Sequence, residues 1–136
     1  MHYVLTLSCP DQPGIVRALA QGVVSVGGNI VENAQFSDPV TGTFCMRTHF
    51  ETDESDVTVV RTAVLAEVER FDPALTLRPV DVRRRALLMV SKFDHCLLDL
   101  LYRWQIGELP VDIPVVVSNH EDCREIVERV DPHIGL

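Results

Sequence analysis

Basic residues are scarce in this chain, and long hydrophobic runs are missing. Of 136 residues, 12 are Lys or Arg against 20 Asp or Glu, a formal charge of −8. A surface of that sign repels phosphate backbones, which excludes nucleic acid as an expected partner. The one basic run, Arg83-Arg84-Arg85, is shorter than a basic tail and reads as a solvated junction between two units. No stretch approaches the ~20 apolar residues that cross a bilayer, so no membrane partner is expected. The opening "MHYVLTLS" has no basic region and no small-residue cleavage site. A signal peptide is therefore not expected, and a cytoplasmic location is. The cysteines, Cys9, Cys45, Cys96 and Cys123, form no C-x-x-C pair, so a zinc site has no support. Reduced thiols, mostly packed as small apolar groups, are the expectation.

What is present is enough apolar residue, 46% of the chain, for a proper core. The run "YVLTL" alternates, with Tyr3, Leu5 and Leu7 on one face of a strand. The period then changes. Ile15, Leu19, Val23 and Val26 make one helical stripe, with Asp11 read as N-cap, Pro13 in the first turn and Gly27-Gly28 as the stop. "NIVENAQFS" reads as a second strand with Ile30, Ala34 and Phe36 on one face, and "DPVTG" as a hairpin turn. "TFCMRTHFE" alternates cleanly, Phe44, Met46, Thr48 and Phe50 against Cys45, Arg47, His49 and Glu51. "DESD" caps a helix striped by Val57, Val60, Val64, Val68 and Phe71, and "PALTLRP" closes as a short strand. Strand, helix, strand, strand, helix, strand predicts an α+β, ferredoxin-like βαββαβ unit over residues 1–82, both helices packed on one sheet face.

From residue 83 to 136 the rhythm differs. "RALLMVS" and "IPVVVSN" are nearly continuous apolar runs, the pattern of parallel strands covered on both faces. A helix from His95 to about Gln105 lies between them, and a second helix comes after them in "EDCREIVERV". This predicts an incomplete α/β (βαβα) segment, the opening of a doubly wound sheet.

Two places invite a ligand. After the first strand, "CPDQPGI" offers a helix N-terminus, and Gly14 lets a ligand approach the backbone. "GGNI" sets Asn29 at the start of the second strand, and the two stretches are expected to lie near each other. A small zwitterion would put its carboxylate at the helix N-terminus and its amine near Asp11. The plain alternative is that Asp11 only caps and the glycines only stop the helix.

"D-x-P-G-I" after strand one, with "G-x-N-I" opening strand two, resembles the ACT domain, a βαββαβ regulatory module that commonly binds small amino acids. With "RRRALLMVSKFDHCLLDLL" and "VVVSNHED", the text from Tyr3 to Arg129 resembles the N-terminal half of formyltetrahydrofolate deformylase. "K-x-x-H-C-L-x-D-L-L" at Lys92–Leu101 is the most specific part.

The resemblance implies an ACT regulatory domain over residues 1–82 and the truncated N-terminal part of a formyltransferase-type hydrolase domain over residues 83–136. It implies hydrolysis of 10-formyltetrahydrofolate to tetrahydrofolate and formate, feeding purine synthesis, with no metal and no nucleotide cofactor. It implies an effector such as glycine or methionine held by Asp11, Pro13, Gly14, Ile15, Asn29 and Ile30, and a homo-oligomer formed through the ACT domain. His95 and Cys96, at the strand-to-helix loop, become candidates to line the folate pocket of the full-length enzyme. Against this stands a simpler reading, His95 as N-cap and Cys96 as core, with Asp99 solvent-facing or capping and Trp104 packed. The family's catalytic asparagine, histidine and aspartate are expected downstream, so no catalytic residue is assigned here. Asn119, His120 and His133 take no role. The isolated chain is expected to be inactive. The rival reading is a stand-alone ACT-type amino-acid sensor and dimerisation module, and a third is a unit that only joins subunits.

Overall fold

A computed structural model describes all residues, 1–136, which form two compact units, Met1–Val82 and Arg83–Leu136. In the first, the elements are β1 (His2–Pro10), α1 (Ile15–Ser25), β2 (Asn29–Asp38), β3 (Thr43–Glu51), α2 (Val57–Val68), a 3-10 turn (Glu69–Phe71) and β4 (Ala74–Pro79). The strands form one antiparallel sheet in the order β2-β3-β1-β4. Strand alternation sends Tyr3, Leu5 and Leu7 from β1 and Phe44, Met46 and Phe50 from β3 into a core, where they meet Leu19 and Val23 of α1 and Val60, Val64 and Val68 of α2. The Tyr3 and Phe50 rings stack with centroids 5.6 Å apart, and the Tyr3 hydroxyl donates to the Glu54 carbonyl at 3.0 Å. Thr48 shares the inner face and is fully buried, its hydroxyl donating to Asn33 Oδ1 at 2.7 Å. The βαββαβ reading of residues 1–82 is thus the observed fold.

Three local expectations fail. Asp11 does not cap α1. The helix begins at Ile15 behind Gly14, whose φ of 97° is left-handed, and no side chain caps it. Pro13 therefore precedes the first turn instead of sitting in it. The physical cause is Pro13 itself, which disfavours helical backbone at Gln12 and keeps the preceding chain extended. Asp11 accordingly continues the ladder, its N–H donating to the Gly42 carbonyl at 2.8 Å. Second, Ile30 does not share a face with Ala34 and Phe36. Ile30 lies opposite inward-facing Phe50, whereas Ala34 and Phe36 lie opposite outward-facing Arg47 and Cys45. A bulge between Ile30 and Glu32 inserts one extra residue and reverses the alternation. Third, only Cys9 and Cys123 are buried; Cys45 and Cys96 are exposed.

The cap expected for α2 and the turn expected between β2 and β3 do form. Asp56 caps α2, its carboxylate accepting from the Thr58 N–H at 2.8 Å. In the β2–β3 turn, Asp38 accepts from the Val40 N–H at 2.9 Å and the Thr41 hydroxyl at 2.8 Å. These bonds, the backbone one first, hold the Asp38 carboxyl below the usual carboxylate range.

The second unit contains β5 (Arg84–Val90), α3 (His95–Gln105), β6 (Val111–Ser118), a 3-10 turn (Glu121–Cys123) and α4 (Arg124–Val130). β5 and β6 pair in parallel, joined through α3, as a βαβα order requires. The core gathers Leu97, Leu101, Val116, Cys123, Val127 and Ile134. The indole of Trp104 packs against this cluster, and its N–H donates to the Val111 carbonyl at 2.9 Å. Gly135 lies parallel along β6, accepting from the Val116 N–H at 2.8 Å and donating to the Pro114 carbonyl at 3.0 Å. Apolar strands of this kind want cover on both faces, and an incomplete βαβα segment cannot supply it; one face is bare. Both helices feed one core on one side, and on the other Leu87, Met89 and Val117 remain 54%, 81% and 43% exposed. Neighbouring positions on each strand point to opposite faces, so helices on one side leave the alternate residues bare.

Candidate functional site

The β1–α1 loop places Asp11, Gln12, Pro13 and Gly14 at the surface, while Ile15, 2% exposed, is a core residue. Arg70 comes to this loop from the far end of α2 and lies over the Phe71 ring, its guanidinium carbon 4.7 Å from the centroid. A Cβ on Gly14 would find Arg70 Nη2 and Phe71 Cζ at an ordinary 3.8 Å, so space does not demand glycine there. The left-handed backbone does. The loop thus combines the free N–H groups of the first turn of α1 with one guanidinium, a setting suited to a carboxylate. Arg70 is not among the sequence candidates, because nothing in "ERF" distinguishes it from a surface arginine. Just before the loop, Cys9 is a packed core group, and burial raises its thiol pKa, with Asp11 and Cys45 adding to the effect.

Asn29 and Ile30 do not join this site within one chain. Asn29 pairs with Glu51, which pairs with His2 at the start of β1, whereas Asp11 comes directly after Pro10 at its end. Eight steps along β1 at about 3.4 Å each put those ends roughly 27 Å apart. The reason is topological: α1 runs back along the sheet, so β2 starts at the end of the sheet opposite to the β1–α1 loop. Asn29 Nδ2 instead donates to Glu51 Oε1 at 3.3 Å.

In the second unit, the C-terminal ends of β5 and β6 border an open hollow lined by Met89, Val90, Ser91, Val117, Ser118 and Asn119. The Ser91 hydroxyl donates to Asn119 Oδ1 at 3.1 Å, and the His120 N–H donates to the Ser118 hydroxyl at 3.1 Å. Behind it, burial raises the Cys123 thiol pKa, and Asp94 and Asp122 contribute. His95 and Cys96 are exposed in the first turn of α3 but do not line the hollow. Neither simple alternative survives, since Asp94 occupies the N-cap position and Cys96 is not core. Asp99 pairs with Arg103 at 3.0 Å. The arrangement offers hydroxyl and amide groups for binding. No group of three or more His, Cys, Asp or Glu residues is arranged to hold a metal ion.

The first unit has the fold of an ACT domain. An ACT domain protein from Streptococcus pneumoniae superposes with a TM-score of 0.50 at 23% identity, over 57% of this chain and 88% of that one. Over nearly its whole length, the chain is homologous to the N-terminal part of formyltetrahydrofolate deformylases. It is 39% identical over 130 residues to the formyltetrahydrofolate deformylase of Bacillus subtilis, covering 93% of this chain and 43% of the relative. Against the deformylase of Escherichia coli K12 the identity is 38%, covering 94% of this chain and 45% of the relative. The deformylase crystal structures from Burkholderia mallei and Pseudomonas putida give TM-scores of 0.80 and 0.82 at 36% and 33% identity, covering 94% and 99% of this chain but 46% and 48% of theirs. The chain therefore spans about half the length of the relatives it matches. No protein-family model matches it. No helix is long and apolar enough to cross a membrane.

Proposed function

We propose that this chain is the regulatory and substrate-framing part of a formyltetrahydrofolate deformylase, which hydrolyses 10-formyltetrahydrofolate to tetrahydrofolate and formate for purine synthesis. The observation that carries this reading is the extent of the match: deformylase similarity runs through both units, β5 and β6 included, and does not stop at the ACT fold. A stand-alone amino-acid sensor would have no use for the second unit. The hollow at the strand ends, with Ser91, Ser118 and Asn119, forms one wall of the folate pocket, and His95 and Cys96 lie on the adjoining helix start. The residues that attack the formyl group belong to the part of the enzyme outside the matched half. Four free thiols suit a reducing cytoplasm.

The effector is a small amino acid such as glycine or methionine. Its carboxylate meets the first turn of α1 and Arg70, with Asp11 taking the amine. Ile15 is withdrawn into the core, and Asn29 and Ile30 can reach the same ligand only from a second copy, so an effector touching them as well as the loop requires a homo-oligomer formed through the ACT unit.

A chimera tests the reading. Residues 1–130 of this chain replace the matching segment of the Bacillus subtilis relative. The expected chimera releases formate from 10-formyltetrahydrofolate at a rate within tenfold of the parent, and glycine or methionine changes that rate. A folded chimera without formate release contradicts the deformylase reading. An active chimera indifferent to both amino acids contradicts only the effector assignment.

A further inference from the structure

The outward face of the first sheet carries two histidines that the deformylase reading leaves unused. His2 lies at the start of β1 and His49 near the end of β3, diagonal neighbours because His2 pairs with Glu51 and Val4 with His49. His2 Nδ1 and His49 Nε2 share a hydrogen bond at 3.1 Å, with ring centroids at 5.2 Å, and a bound cation would take the place of the shared proton. Two nitrogens bound to one ion at about 2.0–2.1 Å stand about 2.9 Å apart at a right angle and about 3.4 Å apart at a tetrahedral angle. The observed separation falls between those limits.

The surroundings favour a cation. The other nitrogen of His2, Nε2, faces Glu51 Oε2 at 3.8 Å, and Asn29 holds the second oxygen of that carboxylate. At that distance the carboxylate does not hydrogen-bond the ring but adds negative potential beside it, which favours a bound cation. Asp81 borders the same hollow as the two imidazoles. The amine of Met1 is turned away, donating to the Thr52 carbonyl at 2.9 Å.

We propose that His2 and His49 form a two-imidazole site for a late first-row divalent cation, with water completing the coordination. Binding obeys the order expected for nitrogen ligands, with Cu2+ held more tightly than Ni2+ or Zn2+. The site needs neither the folate pocket nor the β1–α1 loop and meets the proposed effector residues only at Asn29, so metal binding by the chain is read independently of the deformylase reading.

Calorimetry of the untagged chain with copper(II), nickel(II) and zinc(II) chlorides tests it, beside electron paramagnetic resonance of the copper form. The expected result is one equivalent of Cu2+ and a spectrum split by two imidazole nitrogens. His2→Ala and His49→Ala should each weaken Cu2+ binding at least tenfold, and Glu51→Gln should weaken it by less than either. His120→Ala and His133→Ala should change nothing. Both imidazoles lie on the surface side of the sheet, and circular dichroism checks that each variant is folded. Unaltered affinity in His49→Ala would assign the ion to the N-terminal amine and His2, and would overturn the proposal. So would loss of binding when two residues are added before Met1, absence of binding by the chain itself, or a copper spectrum with fewer than two imidazoles.

Discussion

Phe50→Ala is expected to lower the stability of the first unit by about 3–5 kcal/mol, the usual cost of emptying a fully buried aromatic site. Phe50 is 0% exposed, and the ring it stacks on, Tyr3, is equally buried. Collapse is hindered because β3 is fixed on both sides, by β1 and by β2. A loss of this size is a large part of the 5–15 kcal/mol that typically holds a domain together. Urea denaturation monitored by circular dichroism measures it. The two cores share no residue, and the sole tryptophan, Trp104, belongs to the second. Its fluorescence in water should therefore stay that of the parent chain. A stability loss below about 1 kcal/mol, or a red-shifted Trp104 emission, would count against the packing described.

Gly22→Leu should unfold the first unit at 25 °C. Gly22 is buried where α1 meets α2, and a Cβ there would lie 2.8 Å from the Cα of Val64. That neighbour is backbone and cannot rotate away. Gly22→Ala isolates the sign of the effect. Helix propensity alone would favour alanine by up to ~1 kcal/mol. Forcing one carbon into a packed core costs about 1–3 kcal/mol, so the net change should be destabilising. A stabilised Gly22→Ala variant would show that the helices can separate without loss.

Much of this fold is legible because its periods are clean. Tyr3-Leu5-Leu7 and Phe44-Met46-Thr48-Phe50 alternate without interruption, and Val60-Val64-Val68 recurs every four residues, so element type and inner face can be read from spacing alone. The failures have causes that spacing does not carry. Pro13 displaces the start of α1 by restricting its neighbour, although the acid, proline and glycine all look like a start. The bulge after Ile30 reverses the faces of β2, and nothing local in "NIVEN" marks it. The distance between Asp11 and Asn29 is a matter of topology, because short separation in sequence is undone by an intervening helix. Arg70 at the loop and the meeting of His2 with His49 arise from long-range strand and helix packing. That β5 and β6 lack full cover is legible from two continuous apolar runs served by only two helices, but which face is left bare is not.

Under the proposed function the labour is divided: this chain would frame and regulate, and the groups that cleave the formyl bond would belong to the other half of a deformylase. Incubating the purified 136-residue chain with 10-formyltetrahydrofolate and measuring formate tests that directly. The account predicts release no faster than in buffer, with or without glycine or methionine. Saturable formate release by this chain alone would contradict it.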